Sequence, residues 1–127
     1  MQKAKNGFLK GRLKAVTYAF RGFKILISSE DSFKAQFCVG LFTIILGFIF
    51  KISIIEWMIQ LIAIALVLVA EACNTMVEKL ADFVNPNYNK NIGVIKDIGA
   101  GAALIAAIIA LIIGCIIYIP KIINLFS

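Results

Sequence analysis

A chain of 127 residues that is 61% hydrophobic, with a mean hydropathy of +0.96 and a net charge of +6, does not have the composition of a soluble domain. A soluble domain of this size leaves much of its surface in water and could not cover so many Ile, Leu and Phe side chains. The absence of histidine excludes serine–histidine catalysis and histidine metal ligands. These properties predict one all-α integral membrane domain over residues 1–127.

The cysteines Cys38, Cys73 and Cys115 each lie in or at the end of an apolar block, and their number is odd. A disulfide framework or a zinc site is therefore not expected, and we predict that these are buried packing residues. The N-terminal stretch MQKAKNGFLKGRLK lacks an apolar core followed by a small-residue cleavage site. No signal peptide is expected there.

Residues 6–29 have apolar side chains at alternating steps of four and three, with basic side chains among them. This spacing predicts an amphipathic helix with a basic polar side, a form suited to the membrane interface. The alternative is a helix that merely packs on its own protein. The apolar positions are Leu9, Leu13, Val16, Phe20, Phe23 and Ile27.

Three apolar blocks follow, and each predicts a membrane-spanning helix. The block at 37–50 would be about 21 Å long as a helix, so it needs flanking residues to cross a hydrocarbon core of about 30 Å. The second helix can continue until Pro86 forces a turn, and the third contains no charge between residues 98 and 119. The predicted helices cover residues about 33–52, 54–84 and 97–119.

The distribution of Lys and Arg predicts the orientation of these spans. The N-terminal segment and the predicted 79–97 loop lie on one side and hold eight and three basic residues, whereas the other side holds only Lys51 and Lys121. Because basic residues are concentrated on the cytoplasmic side of membrane proteins, the N-terminus and this loop should face the cytoplasm.

A group of polar side chains begins where the second span should leave the lipid. Glu71, Asn74, Glu78 and Asp82 fall within an arc of roughly 80° on one helix face, since successive residues are about 100° apart. Ionisable residues at membrane depth are costly and usually functional. The alternative is that the acids form the solvated face of a protruding helix.

More charged residues should lie on the same side. Glu30 and Asp31 precede the first span, and Lys96 and Asp97 close the loop before the third, which is short enough to bring them near the end of the second. Carboxylates with a lysine at a membrane surface suit Mg²⁺ and nucleotide phosphates. No P-loop pattern is present, so a phosphotransferase of this chain would be of an unrelated type.

The segments EACNTMVEKLADFVNP and KDIGAGAALIAA resemble the prokaryotic diacylglycerol kinase family of small integral-membrane lipid kinases. The family signature is E-x-x-N-[TS]-x-x-E-x-x-x-D with a K-D pair before the last helix, and the likeness covers nearly the whole chain. It implies an N-terminal amphipathic surface helix plus three transmembrane helices in a bacterial plasma membrane, with a cytoplasmic N-terminus. It also implies Mg²⁺-dependent transfer of the ATP γ-phosphate to a lipid alcohol by a homotrimer with shared active sites.

The resemblance further implies roles for single residues. Glu71 would be the general base that takes the proton from the lipid hydroxyl, and Asn74 would orient groups around the reacting centre. Glu30 and Glu78 would hold Mg²⁺ on the ATP phosphates. The other nucleotide-binding residues would be Tyr18, Asp82, Lys96 and Asp97.

Two details are similar to the Gram-positive branch of the family, which chiefly phosphorylates undecaprenol: NP after the aspartate motif and IPKI near the C-terminus. They favour undecaprenol over diacylglycerol as the acceptor. The chain departs from the family pattern at Ala19, Lys34 and Gln36, where secondary nucleotide or lipid contacts are expected. A nucleic-acid partner is not expected.

Two readings from other functional classes remain open. A small proton-coupled transporter would need an acid near the bilayer midplane, whereas Glu71 should lie at the cytoplasmic end. A non-catalytic assembly subunit would give no reason for Lys96 and Asp97 to accompany the acidic helix face.

Overall fold

The computed structural model describes the backbone of residues 2–127 and the side chains from Gly7 onward. Within that range the chain is all α-helical, and three of its four helices are long and apolar enough to cross a membrane. The predicted fold class is therefore confirmed. Met1 and the side chains of Lys3 and Lys5, which entered the domain and orientation predictions, lie outside the described residues. The helices are α1 (Gln2–Ser29), α2 (Asp31–Phe50), α3 (Ile54–Val84) and α4 (Lys90–Phe126).

Most of the apolar face of α1 does not pack on the rest of the chain. Leu13 and Phe20 are 69% and 71% exposed. Contact with α2 comes from the C-terminal turns, where the ring of Phe23 lies 6.0 Å from that of Phe33 and 5.9 Å from that of Phe37. This exposure is what an amphipathic helix at a membrane interface requires, and it disfavours the alternative of packing on its own protein.

A tight turn joins α2 to α3. Lys51 has the left-handed conformation (φ 51°, ψ 54°), and the N–H of Ile52 donates to the carbonyl of Gly47 at 3.1 Å. Ser53 and Glu56 then form a reciprocal capping box at 3.2 and 3.0 Å. The first span therefore ends at Phe50, two residues earlier than predicted.

Helix α4 is longer at both ends than the predicted 97–119. Asn89 caps its start by accepting a hydrogen bond from the N–H of Asn91 at 2.8 Å, so the polar segment after the turn is already helical. Lys96 and Asp97, expected in a loop, lie in the second turn of α4. At the other end the helix continues through Pro120 to Phe126, as membrane helices can when neighbouring groups satisfy the carbonyl that a proline leaves free.

Polar side chains join α2, α3 and α4 at the end of the bundle opposite to the acidic face. The hydroxyl of Tyr118 lies 3.1 Å from the carbonyl oxygen of Thr43 and also contacts Oε1 of Gln60, so its single proton is shared between these two acceptors. Lys121 Nζ lies 2.6 Å from Glu56 Oε2. Gln60 is 4% exposed, and its Nε2 has no hydrogen-bond partner in the described part of the chain.

Replacing Tyr118 should destabilise the protein more than replacing Gln60, its partner in this hydrogen bond. Tyr118→Phe should destabilise the protein by about 1–2 kcal/mol, because it leaves both polar ends of buried Gln60 unpaired. Gln60→Leu should be close to neutral, since it removes the unpaired amide while the Tyr118 hydroxyl keeps the Thr43 carbonyl. Thermal unfolding in detergent micelles measures both; an equal loss of stability in the two variants would contradict this account.

The prediction that the three cysteines are buried is wrong. Cys38, Cys73 and Cys115 are free thiols on the exposed surface of the chain and not buried packing residues. The physical reason is that a bundle of only three spans leaves most side chains facing outward, where lipid or other protein takes the place of water. Leu111 and Phe48, for example, are 69% and 71% exposed.

Candidate functional site

The acidic face predicted on the second span is present on one continuous helix. Because α3 runs unbroken from Ile54 to Val84, Glu71, Asn74, Glu78 and Asp82 follow its apolar segment on the same side. Asn74 Nδ2 lies 3.5 Å from Glu78 Oε1, a long donor–acceptor contact. The face therefore begins in the apolar part of α3 and ends near the turn to α4.

The far end of this face forms a small cavity with α4. Lys96 Nζ lies 2.5 Å from Asp82 Oδ1, which confirms that Lys96 is close to the end of the second span. Both residues line a cavity of about 360 Å³, together with Asp97 and Tyr88. Three predicted nucleotide-binding residues are thus brought together, and Tyr88 is a neighbour that no sequence pattern indicated.

Glu30 reaches α3 from the junction between α1 and α2. It has an extended backbone there, and its Oε1 lies 3.1 Å from Lys79 Nζ. Lys79 follows Glu78 in the chain, so the contact brings Glu30 to the same stretch of α3. Lys79 was not predicted as a site residue; the only sequence feature that sets it apart is that it is the one lysine among the acidic residues of this segment. The neighbouring Asp31 side chain is 99% exposed.

Glu71 and Asn74 occupy the part of the face nearest the apolar segment, and both are partly buried. Glu71 forms no ion pair or hydrogen bond with another described side chain. Asn74 Oδ1 is buried and has no hydrogen-bond partner in the same part of the chain. It lies against Gly99 of α4, which sequence reasoning missed. The only sequence feature that could have indicated this contact was a glycine inside the predicted third span, two residues after Asp97.

Tyr18 is not brought to this site within one chain. It lies on α1 with 59% of its surface exposed, and the guanidinium of Arg21 lies 5.5 Å from its ring centroid. It is not among the residues that line the cavity beside Asp82 and Lys96. Its predicted contact with the nucleotide stays a prediction.

The side chains of the acidic face fit Mg²⁺ in their chemistry. They offer carboxylate and amide oxygens, the ligands this ion prefers, and the buried Asn74 Oδ1 is an acceptor still without a partner. Among the residues described, no three Asp, Glu or Cys side chains are close enough together to hold a metal by themselves. Mg²⁺ needs only one or two carboxylates when phosphate oxygens complete its shell.

Comparisons with known proteins cover this region. Residues 17–118 match the family model of prokaryotic diacylglycerol kinase. The chain is similar to the undecaprenol kinase of Bacillus subtilis (strain 168), with 32% identity over 108 residues that cover 85% of this chain and 88% of the relative. It is also similar to the diacylglycerol kinase of Escherichia coli (strain K12), with 27% identity over 105 residues covering 83% and 86%. The diacylglycerol kinase of Helicobacter pylori (strain J99) is 31% identical over 106 residues covering 84% and 81%. Every predicted site residue, from Tyr18 to Asp97, falls inside the segment matched by the family model.

Proposed function

Because the chain belongs to the prokaryotic diacylglycerol kinase family and is therefore a bacterial membrane lipid kinase, we propose that it transfers the γ-phosphate of ATP to the hydroxyl of undecaprenol. The observation that carries this proposal is the unbroken face of α3, which leads from an apolar span through Glu71 to the cavity at Asp82 and Lys96. One substrate is dissolved in the bilayer and the other in water, and such a face extends into both. The Bacillus relative and the NP and IPKI segments support undecaprenol over diacylglycerol.

Glu71 is the group best placed to act on the lipid hydroxyl. A lipid alcohol is a weak nucleophile, and a carboxylate at the level of the lipid headgroups accepts its proton as the oxygen attacks the γ-phosphorus. The bond from that phosphorus to the bridging oxygen of ADP breaks, and ADP leaves. Asn74, one turn further along the face, orients groups around the reacting phosphate.

The remaining charged residues hold the nucleotide. Glu30 and Glu78 would hold Mg²⁺, and the bound ion would supply positive charge to the nucleotide phosphates. Asp82, Lys96 and Asp97 bind ATP beside the cavity between α3 and α4. The lysine supplies a positive charge at the point where the phosphates arrive.

The arrangement in the membrane follows from the same assignment. We place the N-terminus and the turn between α3 and α4 in the cytoplasm, with three membrane crossings by α2, α3 and α4. A homotrimer with shared active sites is supported by the exposed apolar surfaces of the spans and by Tyr18, which lies outside the cavity of its own chain. In this arrangement Tyr18 contacts the nucleotide of a neighbouring subunit.

The proposal is tested by offering both lipid alcohols side by side. Purified protein in mixed micelles with Mg²⁺ and radiolabelled ATP should transfer phosphate to undecaprenol in preference to diacylglycerol, because the polyprenyl alcohol is the proposed acceptor. Preference for diacylglycerol would instead indicate a role in phospholipid turnover. Transfer to neither lipid would sink the kinase assignment and favour a transporter. A proton-coupled transporter would need an acid near the bilayer midplane. The chain has no Asp or Glu between residues 57 and 70 of α3 or between residues 98 and 126 of α4, which counts against that function.

A further inference from the structure

Gly99 of α4 lies directly against the side chain of Asn74 on α3. A Cβ atom at position 99 would be 2.7 Å from Asn74 Oδ1 and 3.4 Å from Cγ1 of Val77. Carbon and oxygen atoms in contact are normally about 3.3–3.6 Å apart. The volume that a side chain at position 99 would need is therefore already taken by the amide of Asn74.

The two ends of the Asn74 amide have different surroundings. Its Nδ2 faces Glu78 Oε1 at 3.5 Å. Its Oδ1 is buried beside Gly99 and has no hydrogen-bond partner in the described part of the chain. A side chain at position 99 would push this oxygen away from α4 and so turn the amide away from the Glu78 carboxylate.

We propose that Gly99 is a positioning residue for the kinase reaction: its missing side chain lets α4 approach α3 closely enough to fix the orientation of the Asn74 amide. The inference rests on the proposed function, which assigns Asn74 to the reacting centre and Glu78 to Mg²⁺.

Gly101 provides a matched control for a test of this proposal. Gly99→Ala and Gly101→Ala add the same methyl group and the same gain in helix propensity to α4, but nothing lies within 4 Å of a Cβ at position 101. We expect Gly99→Ala to lower kcat for phosphate transfer to undecaprenol about tenfold or more with little change in KM for ATP, because small displacements near a reacting centre cost rate. Gly101→Ala should retain the kcat of the unaltered protein.

A double-mutant cycle separates positioning from a general packing defect. In an Asn74→Ala background, Gly99→Ala should cause no further loss of kcat, since the two positions act through one amide. The same fractional loss in both backgrounds would overturn the inference. Full activity of Gly99→Ala in the otherwise unaltered chain would overturn it too.

Stability gives a second readout if Gly99→Ala does not fold. The variant that combines Asn74→Ala with Gly99→Ala should then unfold at the temperature of Asn74→Ala alone, because the group that clashes is absent. A combined variant that still fails to fold contradicts the inference. Failure of the proposed function looks different, because the unaltered protein then transfers phosphate to neither lipid.

Discussion

Glu71→Gln should lower phosphate transfer to the lipid by about 100-fold or more while nucleotide binding remains. The amide keeps the size and position of the carboxylate but cannot accept the proton of the lipid hydroxyl, and general base catalysis contributes about 10²–10⁴-fold. Glu71 has no ion pair or hydrogen bond with any side chain that the structure describes, so the substitution breaks no such contact. Transfer is measured in micelles, and binding is measured as the rise in unfolding temperature caused by ATP with Mg²⁺.

Glu56→Gln is the matched control for this experiment. It makes the same change on the same helix, at the end of α3 where Glu56 pairs with Lys121 and closes the capping box with Ser53. We expect a modest loss of stability and nearly unchanged transfer. If Glu71→Gln loses nucleotide binding together with transfer, Glu71 binds the metal or stabilises the fold and is not the general base.

Glu30→Gln should raise the Mg²⁺ concentration required for half-maximal transfer by about 10- to 100-fold, the usual cost of disturbing the surroundings of a bound metal. The same shift is expected for Glu78→Gln, because the two carboxylates are proposed to hold one ion. The measurement is the rate of transfer as a function of Mg²⁺ concentration at fixed ATP. An unaltered Mg²⁺ dependence in both variants would remove the metal assignment.

Two control variants distinguish an effect on Mg²⁺ binding from an effect of the lost ion pairs. Asp31→Asn changes the neighbouring carboxylate, whose side chain is 99% exposed and lies 3.7 Å from Lys34, and it should leave the Mg²⁺ dependence unchanged. Lys79→Met removes the partner of Glu30 and keeps the carboxylate. If Lys79→Met shifts the Mg²⁺ dependence as far as Glu30→Gln does, the ion pair and not the metal explains the effect.

The parts of the fold that local sequence determines were predicted well. The predicted helix 54–84 has the bounds of α3, because Ser53 and Glu56 cap its start and Pro86 forbids its continuation. The predicted start of α4 was seven residues late, since it relied on the apolar run, whereas the polar segment from Lys90 is made helical by the Asn89 cap. An apolar run in the sequence predicts where a helix crosses the lipid, but it does not predict where that helix begins or ends.

The site was predictable where it lies on one helix and not where two helices meet. The acidic face of α3 follows from helical periodicity alone. The contact of Glu30 with Lys79 joins residues far apart in the chain, and the fit of Gly99 against Asn74 depends on how α4 is rotated relative to α3. A single sequence contains no signal for either distance. The burial of the cysteines was misjudged because the outward surface of a membrane bundle is as apolar as its interior.

The two ends of the bundle are held together by contacts of different strength. At the end near Tyr118, a buried hydrogen-bond group and an ion pair between partly buried side chains connect all three spans. At the end with the acidic face, the side chains that join α3 to its neighbours form ion pairs with a more exposed partner, Lys79 at 61% and Asp82 at 61%. Exposed pairs are worth only about 0–1 kcal/mol. These ion pairs can therefore open at small cost while the packed helices keep their register. Charged side chains such as Glu30, Lys79 and Asp82 can therefore change partners without the protein unfolding.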